Sequence, residues 1–112
     1  MTPMNQAQLV EELKGLEFFE LRAEETGLFE FVIRNSCIDA LNAVLARYFG
    51  PPFKPAGEKP KKEAQQAAAP WGGIRQNQAM YLAEDGGISY CALIWPWGDG
   101  KLSTVKIARI SS

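Results

Sequence analysis

The chain has 112 residues, with twelve basic side chains, thirteen acidic side chains and no histidine. This length suits one domain with a real core, and the apolar share of 46% is typical of a globular protein. The net charge of −1 lacks the basic excess that proteins use to follow a phosphate backbone, so we expect no nucleic-acid partner.

The absence of histidine removes the commonest general base and the commonest metal ligand. With Cys37 and Cys91 as the only cysteines, a single chain cannot supply the four nitrogen and sulfur ligands of a structural zinc site. We therefore expect no metal and no cofactor. The sequence contains no recognisable catalytic motif and favours a non-catalytic role, although an enzyme is not excluded.

No apolar run approaches the roughly 18 to 20 residues that span a bilayer. The first residues also lack the basic start and apolar block of a signal peptide. We therefore expect a cytoplasmic protein with no membrane partner.

The first half of the chain predicts a helix, a hairpin and a second helix. Thr2 and Pro3 suit a helix start, apolar residues then recur at helical spacing, and Gly15 suits the end. Residues 17–22 and 28–34 have strand character and predict a β-hairpin. Ser36 and Asp39 resemble a capping box at the start of the second helix, and Gly50 ends it.

The insert at about residues 51–72 is rich in proline, lysine and alanine. Its prolines favour extended backbone, and we expect its lysines to keep it solvated: Lys54, Lys59, Lys61 and Lys62. Residues 63–69 are good helix formers but include no large apolar side chain, so we expect this short helix to be mobile or loosely docked. The insert is predicted to be a flexible segment of a single domain.

Three strands follow, at residues 79–84, 88–95 and 102–110, and two tight turns make them a meander. Lys101, Thr104, Lys106 and Arg109 interrupt the last strand, which is typical of a sheet edge. The predicted fold is α+β: an antiparallel sheet of about five strands, in two groups, with two helices on one face. The order of elements is α-β-β-α, insert, β-β-β.

The strand at residues 88–95, ISYCALIW, is apolar on both sides. A strand with one solvated face alternates apolar with polar residues, so both flanks of this strand need cover. The two helices can cover one flank. The insert, a second copy of the protein or a ligand could cover the other.

Several residues could form a site, and each also has a structural explanation. Trp95 and Trp97, with Trp71 and Tyr90 nearby, could form an aromatic contact surface, or could simply fill the core and a turn. Cys37 lies in the first turn of a helix, where a thiolate is stabilised, but it also belongs to the apolar stripe. The acidic pairs, such as Glu84 with Asp85, are best explained as solvated charges.

These observations lead to two main hypotheses. The first is a non-catalytic interaction or regulatory module that uses an apolar sheet face to form a homodimer or to bind another protein, with contacts from Tyr90, Trp95, Trp97 and Trp71. The second is a small-molecule-binding protein, with enzymatic activity left open, whose apolar pocket lies under the insert. Four residues could supply its polar groups: Tyr81, Tyr90, Arg75 and Glu30. A thiol enzyme based on Cys37 is a third alternative.

Overall fold

A computed structural model describes residues 6–25, 27–85 and 88–110. In these residues the chain forms three α-helices and five strands: α1 (Gln6–Lys14), β1 (Phe18–Glu25), β2 (Leu28–Arg34), α2 (Ile38–Phe49), α3 (Lys62–Ala68), β3 (Ala79–Asp85), β4 (Ile88–Pro96) and β5 (Leu102–Ile110). The α+β class, the antiparallel sheet and the order of elements are confirmed. The predicted helix start at Thr2 and Pro3 lies outside the described residues.

The five strands form one antiparallel sheet in the order β1-β2-β5-β4-β3. Strand β5 lies between β2 and β4, so it joins the hairpin to the meander, and β1 and β3 form the two edges. The expectation that the last strand is an edge is therefore wrong. Two of its polar residues, Thr104 and Lys106, are tolerated in the centre of the sheet because tryptophans of the neighbouring segments contact them, as described below.

The first face of the sheet packs against α1 and α2. Leu9 and Leu13 of α1 and Leu41 and Leu45 of α2 are completely buried there, against the ring of Phe31 and its neighbours. Tyr90 packs against the same core. This is the helix face that the apolar stripes predict.

The second face of the sheet is covered in part by the insert. Ala64 and Ala68 of α3 are fully buried and share a core with Cys91 and Leu93 of β4. Their small side chains let the helix lie close to the sheet, so a large apolar anchor is unnecessary. Of the three proposed covers for the outer flank of β4, the insert is the one that the structure shows. Its flexibility stays a prediction.

Lys54 fastens the base of the insert and is not the solvated lysine that the sequence suggests. Its backbone pairs with Met80 of β3, and the residue is only 3% exposed. The ammonium group donates hydrogen bonds to three backbone carbonyls, those of Arg75, Gln76 and Gln78. Desolvation lowers the pKa of Lys54. Three donors meet three acceptors, which explains why a lysine is accepted here.

The start of α2 differs from the predicted capping box. One 3-10 turn, Asn35–Cys37, precedes α2, and neither element has a side-chain cap. Asn35 is instead tied to the β4–β5 connection. Its N–H donates to the carbonyl of Lys101 (2.8 Å), and its side-chain oxygen accepts from the hydroxyl of Ser103 (2.6 Å). These bonds orient the helix without the Ser36 cap.

Candidate functional site

The second face of the sheet is divided into an apolar half and a charged half. One row across four strands shows the division: Met80, Leu93, Lys106 and Glu30 pair in sequence from β3 to β2. Met80 and Leu93 are completely buried in the core that includes α3, whereas Lys106 and Glu30 are only partly buried. An apolar surface of the kind expected for partner binding is therefore present, but this chain already covers it.

Trp71, Trp95 and Lys106 form the boundary between the two halves. The ammonium nitrogen of Lys106 lies 4.1 Å from the centre of the Trp95 ring and donates a 2.9 Å hydrogen bond to the carbonyl of Trp71. The indole N–H groups of both tryptophans are buried and find no acceptor within the described ranges. The rings therefore contribute packing and cation–π attraction, which explains how a lysine is held in a central strand.

Trp97 lies next to this boundary and connects it to β1. Its indole nitrogen donates to the hydroxyl of Thr104 at 2.8 Å. The guanidinium carbon of Arg22 lies 5.5 Å from the centre of the Trp97 ring. Arg22 also pairs with Glu20 (2.9 Å) and more distantly with Glu30 (3.9 Å). Arg22 is thus stacked and ion-paired on the open half of the face.

The exposed edge strand β1 carries two large apolar side chains in contact with solvent. Phe19 is 51% exposed and Leu21 is 48% exposed. The guanidinium of Arg34 lies 5.5 Å from the centre of the Phe19 ring, which repeats the arrangement of Arg22 and Trp97. We refer to Phe19, Leu21, Arg22, Arg34 and Trp97 as the β1 edge surface.

A surface cavity of about 430 Å³ continues the β1 edge surface at one end. Phe19 and Arg34 line it together with the turn before β5, including Asp99 and Lys101. The Asp99 carboxylate accepts hydrogen bonds from the turn's own N–H groups at Lys101 (2.8 Å) and Leu102 (3.3 Å). The side chains of Arg34 and Lys101 have no ion-pair partner among residues 6–25, 27–85 and 88–110. Both positive charges at this end of the β1 edge surface are therefore available to a partner.

The two edges of the sheet differ in their protection. The insert pairs with β3 at Met80 through Lys54, and therefore occupies part of that edge. Within the described part of the chain no segment pairs with the outer side of β1. Its ladder with β2 has two irregularities, one between Phe18 and Glu20 and one between Leu21 and Ala23. Irregularities of this kind bend an edge strand and limit how far it can extend a sheet.

A second cavity, of about 340 Å³, lies between the start of α2 and the two ends of the insert. Ala56 lines it from the insert, Asn77 from the connection between the insert and β3, and Asn42 from α2. The hydroxyl of Tyr81 donates to the side-chain oxygen of Asn42 at 2.8 Å, and burial raises the pKa of Tyr81. The exposed lining of this cavity is mainly apolar, with Ile38 and Ile94 among its residues, and asparagine side chains provide polar groups.

The structure separates the residues predicted to form one site. Trp71, Trp95 and Trp97 lie on the insert side of the sheet, whereas Tyr90 and Tyr81 pack into the helix-side core. The Arg75 side chain is exposed, and its backbone carbonyl holds Lys54.

Sequence reasoning missed four residues of the β1 edge surface: Phe19, Leu21, Arg22 and Arg34. The sequence pattern that marks them was present, because Phe19 and Leu21 alternate with charged residues in the predicted strand. The edge position of that strand was the missing information.

The two cysteines lie in core environments. Cys37 is half-buried and packs against the helix-side core. Cys91 is fully buried, and desolvation raises the pKa of its thiol to about 12. In the described residues no cluster of three acidic or cysteine side chains could hold a metal ion.

No helix within the described ranges is both long enough and apolar enough to cross a membrane. Comparison with protein-family models, with curated proteins and with solved structures finds no match to this chain.

Proposed function

We propose that this chain is a protein-interaction module that binds a partner protein through the β1 edge surface. The observation that carries the proposal is the contrast between the sheet's surfaces. The insert covers the apolar half of the second face and part of the β3 edge, while Phe19 and Leu21 stay open on β1. The interaction role expected from the sequence is kept, and its location moves from the apolar face to this edge.

The residue types of the β1 edge surface support this role. Aromatic residues and arginine are enriched at the few positions that dominate binding energy in protein interfaces. Here Arg22 is stacked on Trp97 and Arg34 on Phe19. Stacking holds each guanidinium in a defined place, so less side-chain freedom is lost when a partner binds.

The backbone of β1 gives the surface a second means of binding. An edge strand presents N–H and C=O groups that can pair with an added strand, and side chains on both sides of it give specificity. An added strand would also cover Phe19 and Leu21, whose exposed fractions are among the largest of the apolar residues described. We therefore infer that the partner supplies an extended segment.

Site-specific photo-cross-linking tests this proposal. A benzophenone amino acid is placed at Phe19 or at Leu21 in the full chain and irradiated in cells that express the protein. Phe53 provides a matched control, because it is 47% exposed but lies in the insert, and no arginine is stacked on it among the residues that the structure describes. We expect discrete adducts from positions 19 and 21 and none from position 53. Equal or absent adducts at all three positions would refute the proposal.

A second candidate function is small-molecule binding in the cavity between α2 and the insert. Its volume, about 340 Å³, is at the lower end of ligand sites, and several amide and hydroxyl groups line it. Asn42 is already oriented there by Tyr81. This keeps the sequence-based alternative of an apolar pocket beside the insert, with asparagine side chains among its polar groups.

Ligand-observed NMR with a library of small polar metabolites tests the second candidate. Ala56→Trp would place a large ring at the exposed mouth of the cavity, and Gln66→Trp, at an exposed position of α3, is the control. We expect ligands that bind the unchanged chain and the control but not Ala56→Trp. A library that yields no ligand for the unchanged chain would rule this candidate out.

A further inference from the structure

We propose that the partner of the β1 edge surface is a second copy of this chain, paired antiparallel along β1 with a two-fold axis at Leu21. This inference rests on the proposed function and names its partner. The strand sequence around Leu21 carries it. Glu20 and Arg22 flank Leu21 on either side. A two-fold antiparallel pairing centred on Leu21 therefore places Glu20 of each copy opposite Arg22 of the other copy, which gives two such pairs.

The charges select this register over its neighbours. Opposite charges that directly face each other across two antiparallel strands stabilise the pair, and like charges destabilise it. Moving the axis to Glu20 would oppose two glutamates, and moving it to Arg22 would oppose two arginines. The axis at Leu21 avoids both conflicts. A contact of this kind is self-complementary, as a two-fold dimer requires.

Arg22 is already positioned to form an ion pair with Glu20 of the second copy. Its guanidinium lies between Glu20 and Glu30 and over the Trp97 ring. Glu20 and Arg22 are both strongly exposed, so their present ion pair within one strand is weak. In the dimer, Arg22 keeps Glu30 and Trp97 and takes Glu20 of the second copy.

The apolar residues fit the same register. Leu21 meets Leu21 of the second copy at the axis, and Phe19 faces Ala23 of the second copy. Alanine is small and leaves room for the exposed phenyl ring. The two large apolar side chains of β1 that are about half exposed in the single chain, Phe19 at 51% and Leu21 at 48%, would both become covered. The two five-stranded sheets would then form one continuous sheet.

We expect the dimer to be weak and concentration-dependent. The two irregularities of β1, between Phe18 and Glu20 and between Leu21 and Ala23, lie inside the proposed stretch and interrupt the regular ladder on both sides of Glu20 and Leu21. An interface limited to one strand belongs to the small, transient class of protein contacts. Sedimentation velocity over a wide concentration range is therefore the suitable measurement.

A charge-swap experiment on the full chain tests the register. Glu20→Arg would oppose two arginines and Arg22→Glu would oppose two glutamates, so each variant alone should be monomeric at concentrations where the unchanged chain dimerises. Mixing the two variants pairs arginine with glutamate again and should restore a dimer. Lys59→Glu, an exposed reversal in the insert, is the control and should dimerise normally. Restoration by mixing also shows that both variants are folded.

The outcomes separate this inference from the proposed function. A cross-linked adduct from position 21 with twice the 12.4 kDa mass of the chain, together with restoration by mixing, supports the dimer. An adduct of another mass, with a chain that sediments as a monomer throughout, overturns the dimer and leaves the interaction module standing. The absence of any adduct and of any dimer overturns both. Single variants that dimerise as well as the unchanged chain overturn the register.

Discussion

Gly72 lies directly against the indole ring of Trp95. A Cβ atom at this glycine would come within 2.5 Å of a Trp95 ring carbon, and the φ angle of Gly72 is +111°. The contact fixes the end of the insert on the sheet, next to Lys106. A side chain at position 72 would therefore disturb both the backbone and the packing of the tryptophan boundary.

We expect Gly72→Ala to destabilise the fold more than Gly73→Ala. Both glycines have positive φ, so both substitutions strain the backbone by about 1–2 kcal/mol, but a Cβ at Gly73 meets no atom within 4 Å. The clash with Trp95 should add about 1–3 kcal/mol at position 72. Urea unfolding of the two variants measures the difference. Equal losses would mean that the insert shifts freely away from the ring.

We expect Lys54→Met to lower the free energy of unfolding by at least about 2 kcal/mol. Methionine has a similar length, but it removes all three hydrogen bonds of the ammonium group, and hydrogen bonds from charged groups contribute about 1.5–3 kcal/mol each. The carbonyls of Arg75 and Gln76 keep backbone donors at Gln78 and Gly57, so the largest part of the loss comes from the charge-assisted bonds themselves. Lys59→Met, at an exposed position, should change stability by less than about 0.5 kcal/mol. Thermal or urea unfolding measures both. Similar stabilities for the two variants would contradict the role of Lys54 at the base of the insert.

The contact between α1 and α2 should weaken in acid. Glu12 accepts hydrogen bonds from Tyr48 and from Arg47, and the Tyr48 bond holds the pKa of Glu12 below its ordinary value of 4.5. The stabilisation is therefore present above pH 4.5 and is lost as the pH falls through the lowered pKa. Glu12→Gln should flatten the loss of stability over this range. Glu17→Gln, at an exposed position, should keep the original pH dependence, and identical profiles for both would refute this.

The two thiols should differ strongly in their rates of alkylation. The pKa of Cys91 is raised from 9.0 to about 12, which lowers its thiolate fraction by roughly a thousandfold near pH 8. Cys37 is only half-buried and should react faster. Mass spectrometry after brief iodoacetamide treatment measures both, with urea-unfolded chain as the reference. Labelling of Cys91 as fast as that of Cys37 would show that the insert opens readily.

Much of the fold could be predicted because local patterns determine it. The bounds of β2 and β5 are those expected from apolar alternation and flanking turns, and α2 ends at Gly50 as predicted. Strand β1 instead runs on to Glu25, past the predicted end at Arg22. Pairing with β2 extends β1 through polar residues whose own sequence favours a loop between the two strands.

The missed features all depend on residues far apart in the chain. Lys54 is buried because carbonyls about twenty residues later surround its ammonium group. Lys106 is accepted in a central strand because Trp71 and Trp95 contact it. No local pattern reports such contacts. The candidate site was misplaced for the same reason, since the exposed edge of a sheet is known only once the strand order is known.

The central position of β5 has a consequence for how the protein is made. The ribosome releases β1 to β4 first, yet the backbone pairing that joins the β1–β2 hairpin to the β3–β4 hairpin in the sheet runs through β5. Until β5 emerges, the two hairpins have apolar flanks and unpaired backbone in the middle of the future sheet. The nascent chain therefore passes through a stage in which it exposes the apolar surface and unpaired strands that chaperones bind. This stage ends when β5 pairs with β2 and β4.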